Sequence, residues 1–251
     1  METARRARAG AAFACMALVV IALCAAACSR ERPPAARAPV AAPPPAAPSA
    51  AVPAAPVPAA APTPAASRPR IVFLGDSLTA GYGLEKVQAV PALIEARLTR
   101  EGYPFEVVNA GVSGDTSAGG LSRLDWSLSG DVRILVIELG ANDGLRGLPV
   151  SAMKHNLTEI ITRAKARGIA VLLTGMEALP NYGAAYTAEF RDTFPALARE
   201  HKVAFMPFYL DGVAGDPGLN IADGMHPNPE GATIVANNLW RVLEPLLKAS
   251  E

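Results

Sequence analysis

Past residue 28 this sequence has nothing to do thiol chemistry with. Its three cysteines, Cys15, Cys24 and Cys28, all stand near the N-terminus. The remainder therefore holds no disulfide, no cysteine nucleophile and no thiolate metal site. Histidine is as scarce, with His155, His201 and His226 making up the whole set. There is no His-Glu-x-x-His, and no second histidine stands near His226, so a metal hydrolase has no motif to rest on and no metal is expected. Gly-x-Ser-x-Gly is missing too, and with it the nucleophile elbow of the α/β-hydrolases. Charge of one sign is also lacking. The whole chain carries 23 basic and 23 acidic residues, and setting aside residues 1–27 (three Arg, one Glu) leaves 20 against 22, a formal −2. No basic face follows, and nucleic acid is not an expected partner.

A long apolar run occurs once, at residues 11–27, behind Arg5, Arg6 and Arg8 and ending in Ala25-Ala26-Ala27. A basic head, a short apolar stretch and small residues at its end make a secretory signal peptide. Its seventeen apolar residues fall short of the about 20 that a membrane span needs, although an uncleaved anchor is the alternative. Cys28 follows at once and resembles the lipidated cysteine of bacterial lipoprotein signals, with Ala25 where Leu is usual. Lipidation at Cys28, export to the periplasm or cell envelope and a membrane anchor are the expectations; plain cleavage at the same Ala-x-Ala is the alternative.

Residues 33–69 contain 13 prolines, much alanine and almost no charge. Such a segment buries no core and reads as a semi-extended spacer (the linker being residues 28–69), reaching up to roughly 100 Å at about 3.1 Å per residue. Residues 70–251 then form one domain, long enough for a substantial core.

Within that domain, β-branched apolar runs recur at Arg70–Gly75, Phe105–Ala110, Val132–Leu139, Ala170–Gly175 and Val203–Pro207. Helical periods separate them at Val90–Arg100, Leu121–Leu128, Val150–Arg167 and Tyr186–Glu200, with a last helix over Pro229–Leu247. Continuous apolar strands alternating with helices predict an α/β fold, a three-layer α/β/α sandwich with a five-stranded parallel sheet. In such sheets ligands bind outside the carboxyl ends of the strands. The residues just past those ends are Gly75-Asp76-Ser77, "NAGVSGDTS" from Asn109, "GANDGLRG" from Gly140 and "GMEALPNYG" from Gly175.

A serine presented there either caps a helix or attacks a carbonyl, and attack needs a base, an orienter and oxyanion donors. His155 lies inside a helical stretch and His201 at a charged helix end, which fits surface or capping roles. His226 lies in the loop "DGMHPNPEG" with Asp223 three residues earlier, a spacing that lets one turn bring the carboxylate to one imidazole nitrogen. Alone, Asp-x-x-His is also what a turn leading into a helix looks like.

Taken together, four stretches resemble the SGNH (GDSL) hydrolase family, whose fold is flavodoxin-like. "GDSL" from Gly75 is similar to its nucleophile block, Gly111 within "NAGVSGDTS" to its glycine block, Asn142 in "GAND" to its asparagine block and "DGMH" from Asp223 to its last block. The order is the family's, and the likeness spans nearly all of residues 70–248. "GDSLTAGYG", "ANDGLRG" and "LPNYG" resemble the branch of periplasmic acyl-CoA thioesterases, lysophospholipases and arylesterases. The resemblance implies Ser77 as nucleophile, His226 as general base and acid, and Asp223 as its orienter. It implies an oxyanion hole of the Ser77 and Gly111 backbone N–H groups and the Asn142 amide. No cofactor is implied, and the implied substrate is an acyl ester, thioester or lysophospholipid. Asp76, Asp143 and Arg146 read as braces of their turns, and residues 176–183 as a substrate-contacting loop. A polysaccharide O-acetyl esterase and a non-catalytic envelope lipoprotein on the same scaffold are the other readings.

Overall fold

A computed structural model describes residues 68–250. The expected signal peptide, Cys28 and most of the Ala/Pro segment lie outside the described residues. Five parallel strands, β1 (Arg70–Gly75), β2 (Glu106–Gly111), β3 (Val132–Glu138), β4 (Ala170–Thr174) and β5 (Ala204–Met206), form one sheet in the order β2-β1-β3-β4-β5. The middles of the central strands are apolar because both sheet faces are covered. Ile71 through Leu74 and Ile134 through Ile137 are all buried.

The layers follow from the direction of each crossover. Passing from β1 to β2 moves one way along the sheet, and β3 to β4 to β5 moves the other. Right-handed connections then place the intervening helices on opposite faces. Accordingly α2 (Val90–Glu101) packs on the last helix, α8 (Pro229–Lys248), while α6 (Val150–Ala166) packs between α3 (Ser117–Ser122) and α7 (Ala184–His201). The apolar stripe of α8, including Val235, Leu239, Leu243 and Leu247, is fully buried. This is the expected three-layer α/β/α sandwich.

Two local differences have physical causes. The helix expected over Leu121–Leu128 is split into α3 and α4 (Leu124–Ser127), with the break at Arg123. There the guanidinium turns inward to donate to the carbonyls of Ala110 at 2.6 Å and Gly75 at 2.8 Å, and to the Asp115 carboxylate at 2.6 Å. A one-turn helix, α5 (Ala141–Leu145), directly follows β3, where the sequence suggested only a loop. Together with α1 (Ser77–Ala80), which directly follows β1, it flanks the point where the strand order reverses. That point is where an open α/β sheet leaves a crevice.

Candidate active site

Ser77 is the first residue of α1, and Asp76 is that helix's N-cap, its Oδ1 accepting the Leu78 N–H at 3.0 Å. The cap fixes the sharp turn from strand to helix and leaves the serine at the crevice. Asp76 is wholly buried, so its second oxygen also needs a donor. The Asn142 side chain supplies it, Nδ2 to Oδ2 at 3.0 Å. Burial raises the Asp76 carboxyl above the ordinary carboxylate range, while these donors oppose the rise.

His226 reaches Ser77 from the loop before α8. Its Nε2 lies 2.8 Å from Ser77 Oγ, and its Nδ1 lies 2.6 Å from Asp223 Oδ2. The loop is held by its own backbone. Asp223 Oδ1 accepts the N–H groups of Met225 at 2.9 Å and His226 at 3.0 Å. Farther out, the Ile221 N–H donates to the His226 carbonyl at 2.8 Å, and Asn228 caps α8 through the N–H groups of Glu230 and Gly231. The Met225 and His226 N–H groups are the chief reason the Asp223 carboxyl drops from 3.8 to about 2. Tyr82 leans over the imidazole, ring centres 4.7 Å apart and planes at 45°. With Asp223 an anion, the neutral imidazole that suits this arrangement donates Nδ1–H to Asp223 and accepts the Ser77 hydroxyl proton at Nε2.

The oxyanion donors differ from one another. Among the described residues the Ser77 N–H makes no hydrogen bond, and one of the two Asn142 amide protons is free of Asp76. Gly111 is in a different position. Its N–H donates to Asn109 Oδ1 at 3.0 Å, and a Cβ on it would lie 2.3 Å from the Ala80 backbone nitrogen. The glycine is there because α1 lies against the end of β2, and Asn109 ties the two together by donating from Nδ2 to the Thr79 carbonyl at 3.0 Å. The expected Gly111 donor is therefore already spent. Three residues on, the Gly114 N–H makes no hydrogen bond among the described residues, while its carbonyl accepts from Arg146 Nη2 at 2.8 Å.

The braces are where they were expected. Asp143 accepts from Ser117 Oγ at 2.6 Å and from the Ser117 N–H at 2.8 Å, and Arg146 holds the loop at Gly114. In residues 176–183, the Tyr182 hydroxyl donates to the Leu145 carbonyl at 3.2 Å, tying this loop to α5. His155 and His201 lie on α6 and at the end of α7, away from Ser77. Asn109 and Glu138 were missed. Asn109 lies inside the glycine block, where Gly111 alone carried an expected role. A glutamate ending an otherwise apolar strand run was the available signal for Glu138. Among the described residues no group of three or more His, Cys, Asp or Glu side chains could hold a metal ion.

Past the strand ends and beside the base, several large apolar side chains stand exposed. They are Tyr82, Val112, Leu145, Leu179, Tyr182 and Met225, which follow β1, β2, β3 and β4 or adjoin His226. A narrow hollow beside Ser77 and His226 is lined by Leu78, Tyr82, Leu84, Val90 and Tyr209.

Residues 73–234 match the GDSL-like Lipase/Acylhydrolase family. The chain is 43% identical over 183 residues to Esterase TesA of Pseudomonas aeruginosa, covering 72% of this chain and 91% of that protein. It is 36% identical over 183 residues to Thioesterase 1/protease 1/lysophospholipase L1 of Escherichia coli, covering 72% and 86%. An arylesterase of Vibrio mimicus is 40% identical over 168 residues, 66% of this chain and 84% of its own. Among solved structures, that of TesA superposes with a TM-score of 0.68 at 43% identity, covering 71% of this chain and 99% of its own. The psychrotrophic esterase EstA from Pseudoalteromonas sp., in a structure inhibited by monoethylphosphonate, gives 0.68 at 33% identity, with 71% and 98% covered.

Proposed function

The chain belongs to the GDSL-like lipase/acylhydrolase family and is an ester hydrolase, and we propose that Ser77, His226 and Asp223 carry out its reaction. The observation behind this assignment is the continuous contact from Asp223 Oδ2 through the imidazole to Ser77 Oγ, 2.6 Å and 2.8 Å long. In acylation, Ser77 Oγ bonds to the carbonyl carbon as its proton passes to His226 Nε2. Asp223 holds the Nδ1–H and stabilises the imidazolium that forms. The tetrahedral intermediate collapses as the C–O or C–S bond to the leaving group breaks, and Nε2 returns the proton to the departing alcohol or thiol. Water, deprotonated by the same nitrogen, then cleaves the acyl-serine and regenerates the hydroxyl.

The negative charge that develops on the carbonyl oxygen needs donors fixed in advance. The Ser77 N–H and the free Asn142 amide proton are two. In place of Gly111, whose N–H is engaged by Asn109, Gly114 is assigned as the third. The exposed apolar rim suits an acyl group of some length, in keeping with the thioesterase and lysophospholipase names among the relatives. Residues 1–28 add a second proposal: the domain is exported and tethered through lipidated Cys28. Membrane fractionation and N-terminal mass analysis of wild type and Cys28→Ala test it. A soluble wild-type protein with an unmodified N-terminus would defeat it.

For the chemistry, Ser77→Ala should abolish hydrolysis of p-nitrophenyl esters and thioesters in a folded protein, and a phosphonate of the kind that inhibits EstA should label Ser77. Substantial turnover by the Ser77→Ala protein would sink the assignment.

A further inference from the structure

Hydrolysis as described gives no task to Glu138, although this carboxyl lies next to the nucleophile turn. It ends β3, the strand beside β1, and is only 1% exposed. Its Oε2 accepts the Asp76 backbone N–H at 3.3 Å and the Thr79 hydroxyl at 2.8 Å. Those two residues stand one before and two after Ser77. The Asp76 carboxylate carries the run onward to the Leu78 N–H and the Asn142 amide, both at 3.0 Å. A single series of hydrogen bonds thus leads from Glu138 through Asp76 to the oxyanion amide, and Ser77 stands in the turn that it holds. Gly75 makes the room. A Cβ on it would lie 2.0 Å from Thr79 Oγ1 and 2.7 Å from Glu138 Oε2.

We propose that Glu138 is a positioning residue: its carboxyl fixes the Asp76–Thr79 turn and, through Asp76, the Asn142 amide, so that the Ser77 hydroxyl and the oxyanion donors are in place before substrate arrives. This rests on the reading of Ser77 and Asn142 given above.

The groups facing Glu138 decide its charge state. They are Asp76 from the β1–α1 turn, Thr79 from α1, and the buried hydroxyl of Tyr209, with His226 beyond Asp76. Arg123, the cation at the Gly75 carbonyl, is occupied by that carbonyl, the Ala110 carbonyl and Asp115. Asp143 on α5 is occupied by Ser117. Burial pushes the Glu138 carboxyl well above the usual carboxylate range, and neighbouring Asp76 pushes it further. Of this pair, Glu138 is pushed up more strongly than Asp76 and so is the carboxyl that favours its neutral form. In that form it acts as an acceptor without a charge, so no second anion opposes the oxyanion that forms above it.

Two substitutions separate these properties. Glu138→Gln keeps a neutral acceptor oxygen, and Glu138→Met keeps the length but accepts nothing. The glutamine variant should keep kcat within about threefold of wild type. The methionine variant should lose kcat by about 10²-fold with KM unchanged, and phosphonate labelling of Ser77 should slow in step. Should Glu138→Met not fold, Thr79→Val removes one donor of the same run and should lower kcat by about tenfold at constant KM.

A second readout is independent of activity. A carboxyl raised in the folded state contributes stability fully below its ordinary 4.5 and loses it as pH rises. The Tm advantage of Glu138→Gln over wild type should therefore widen from about pH 4.5 upward. Wild-type kcat in Glu138→Met, a glutamine variant as slow as the methionine one, or a Tm difference that is flat with pH would each overturn the proposal. If Ser77→Ala is inert while Glu138→Met turns over normally, the positioning role alone fails. An active Ser77→Ala would instead remove the nucleophile assignment.

Discussion

Two carboxylates adjoin the reacting pair, Asp76 beside Ser77 and Asp223 three residues before His226, and they are kept in opposite surroundings. Asp76 is fully buried, raised by desolvation, and bonded to a helix N–H, a side-chain amide and, through its backbone, to the buried Glu138 carboxyl. Asp223 lies in an exposed loop, held down to about 2 by the N–H groups of its own turn. The nucleophile is thus mounted on the core, with its geometry set by long-range contacts between β1, β3 and α5. The base is mounted on a local turn that could form almost without the rest of the domain. Such a division suits the chemistry: the serine and its oxyanion donors must be rigid, while the imidazole has to hold a proton and return it.

The sharpest way to break this contrast is to remove one group from each side. His226→Ala should lower kcat on the order of 10⁴-fold or more, as loss of a triad member does, yet leave Tm nearly unchanged, because the loop is held by Asp223, Ile221 and Asn228 instead. Asp76→Ala should cost both. It strands the buried Leu78 N–H and frees the half-buried Asn142 amide, and a buried group left unpaired costs about 1–3 kcal/mol. Thermal melts and steady-state kinetics on the two proteins decide the matter. A destabilised His226→Ala beside an Asp76→Ala of normal Tm would reverse the comparison.

Asn142 links the two sides of the crevice and should give an intermediate effect. Asn142→Ala removes one oxyanion donor while sparing the nucleophile and the base. A fall in kcat of about 10²-fold, roughly 2.7 kcal/mol, is expected with KM little changed. Asn142→Asp should be at least as harmful, since it places an anion near Asp76 and the developing charge. If Asn142 served only to brace α5, both variants would lose Tm instead and recover activity on cooling.

The same division explains what could be read from the sequence. Asp223 and His226 are three apart and joined by a local turn, so their pairing could be read from the spacing once the other three blocks gave it weight. Ser77 and Asn142 were legible as motif blocks at strand ends. Glu138 was not, because its partners stand 62 and 59 residues away on another strand end; a glutamate ending an apolar run is conspicuous, but nothing local says what it meets. Gly111 shows the converse limit. A glycine at a strand end can serve ligand approach or chain packing, and the contact with Ala80 that decides for packing comes from α1, far earlier in the chain. The break at Arg123 is similar, since the helical period of Leu121–Leu128 cannot reveal that one arginine turns inward to the carbonyls of Gly75 and Ala110.

The smallest expected effect concerns acid stability on the base side. Asp223 has a folded-state value lowered from 3.8 to about 2. A lowered carboxyl contributes stability above its unfolded value and loses it as pH falls toward the folded one. The contribution should therefore be intact at neutral pH and vanish between about pH 4 and pH 2. Asp223→Asn isolates it, because the asparagine Oδ1 can still accept the Met225 and His226 N–H groups while the charge is gone. Melting curves of the two proteins across that window should converge as pH falls, with wild type ahead by no more than a few degrees at the upper end, since a solvent-facing pair is screened. The catalytic loss in Asp223→Asn should be far larger than this difference, because the imidazolium formed during attack then lacks its anion. A wild-type advantage that grew toward pH 2 would mean that Asp223 is held by something other than the two backbone donors of its own turn.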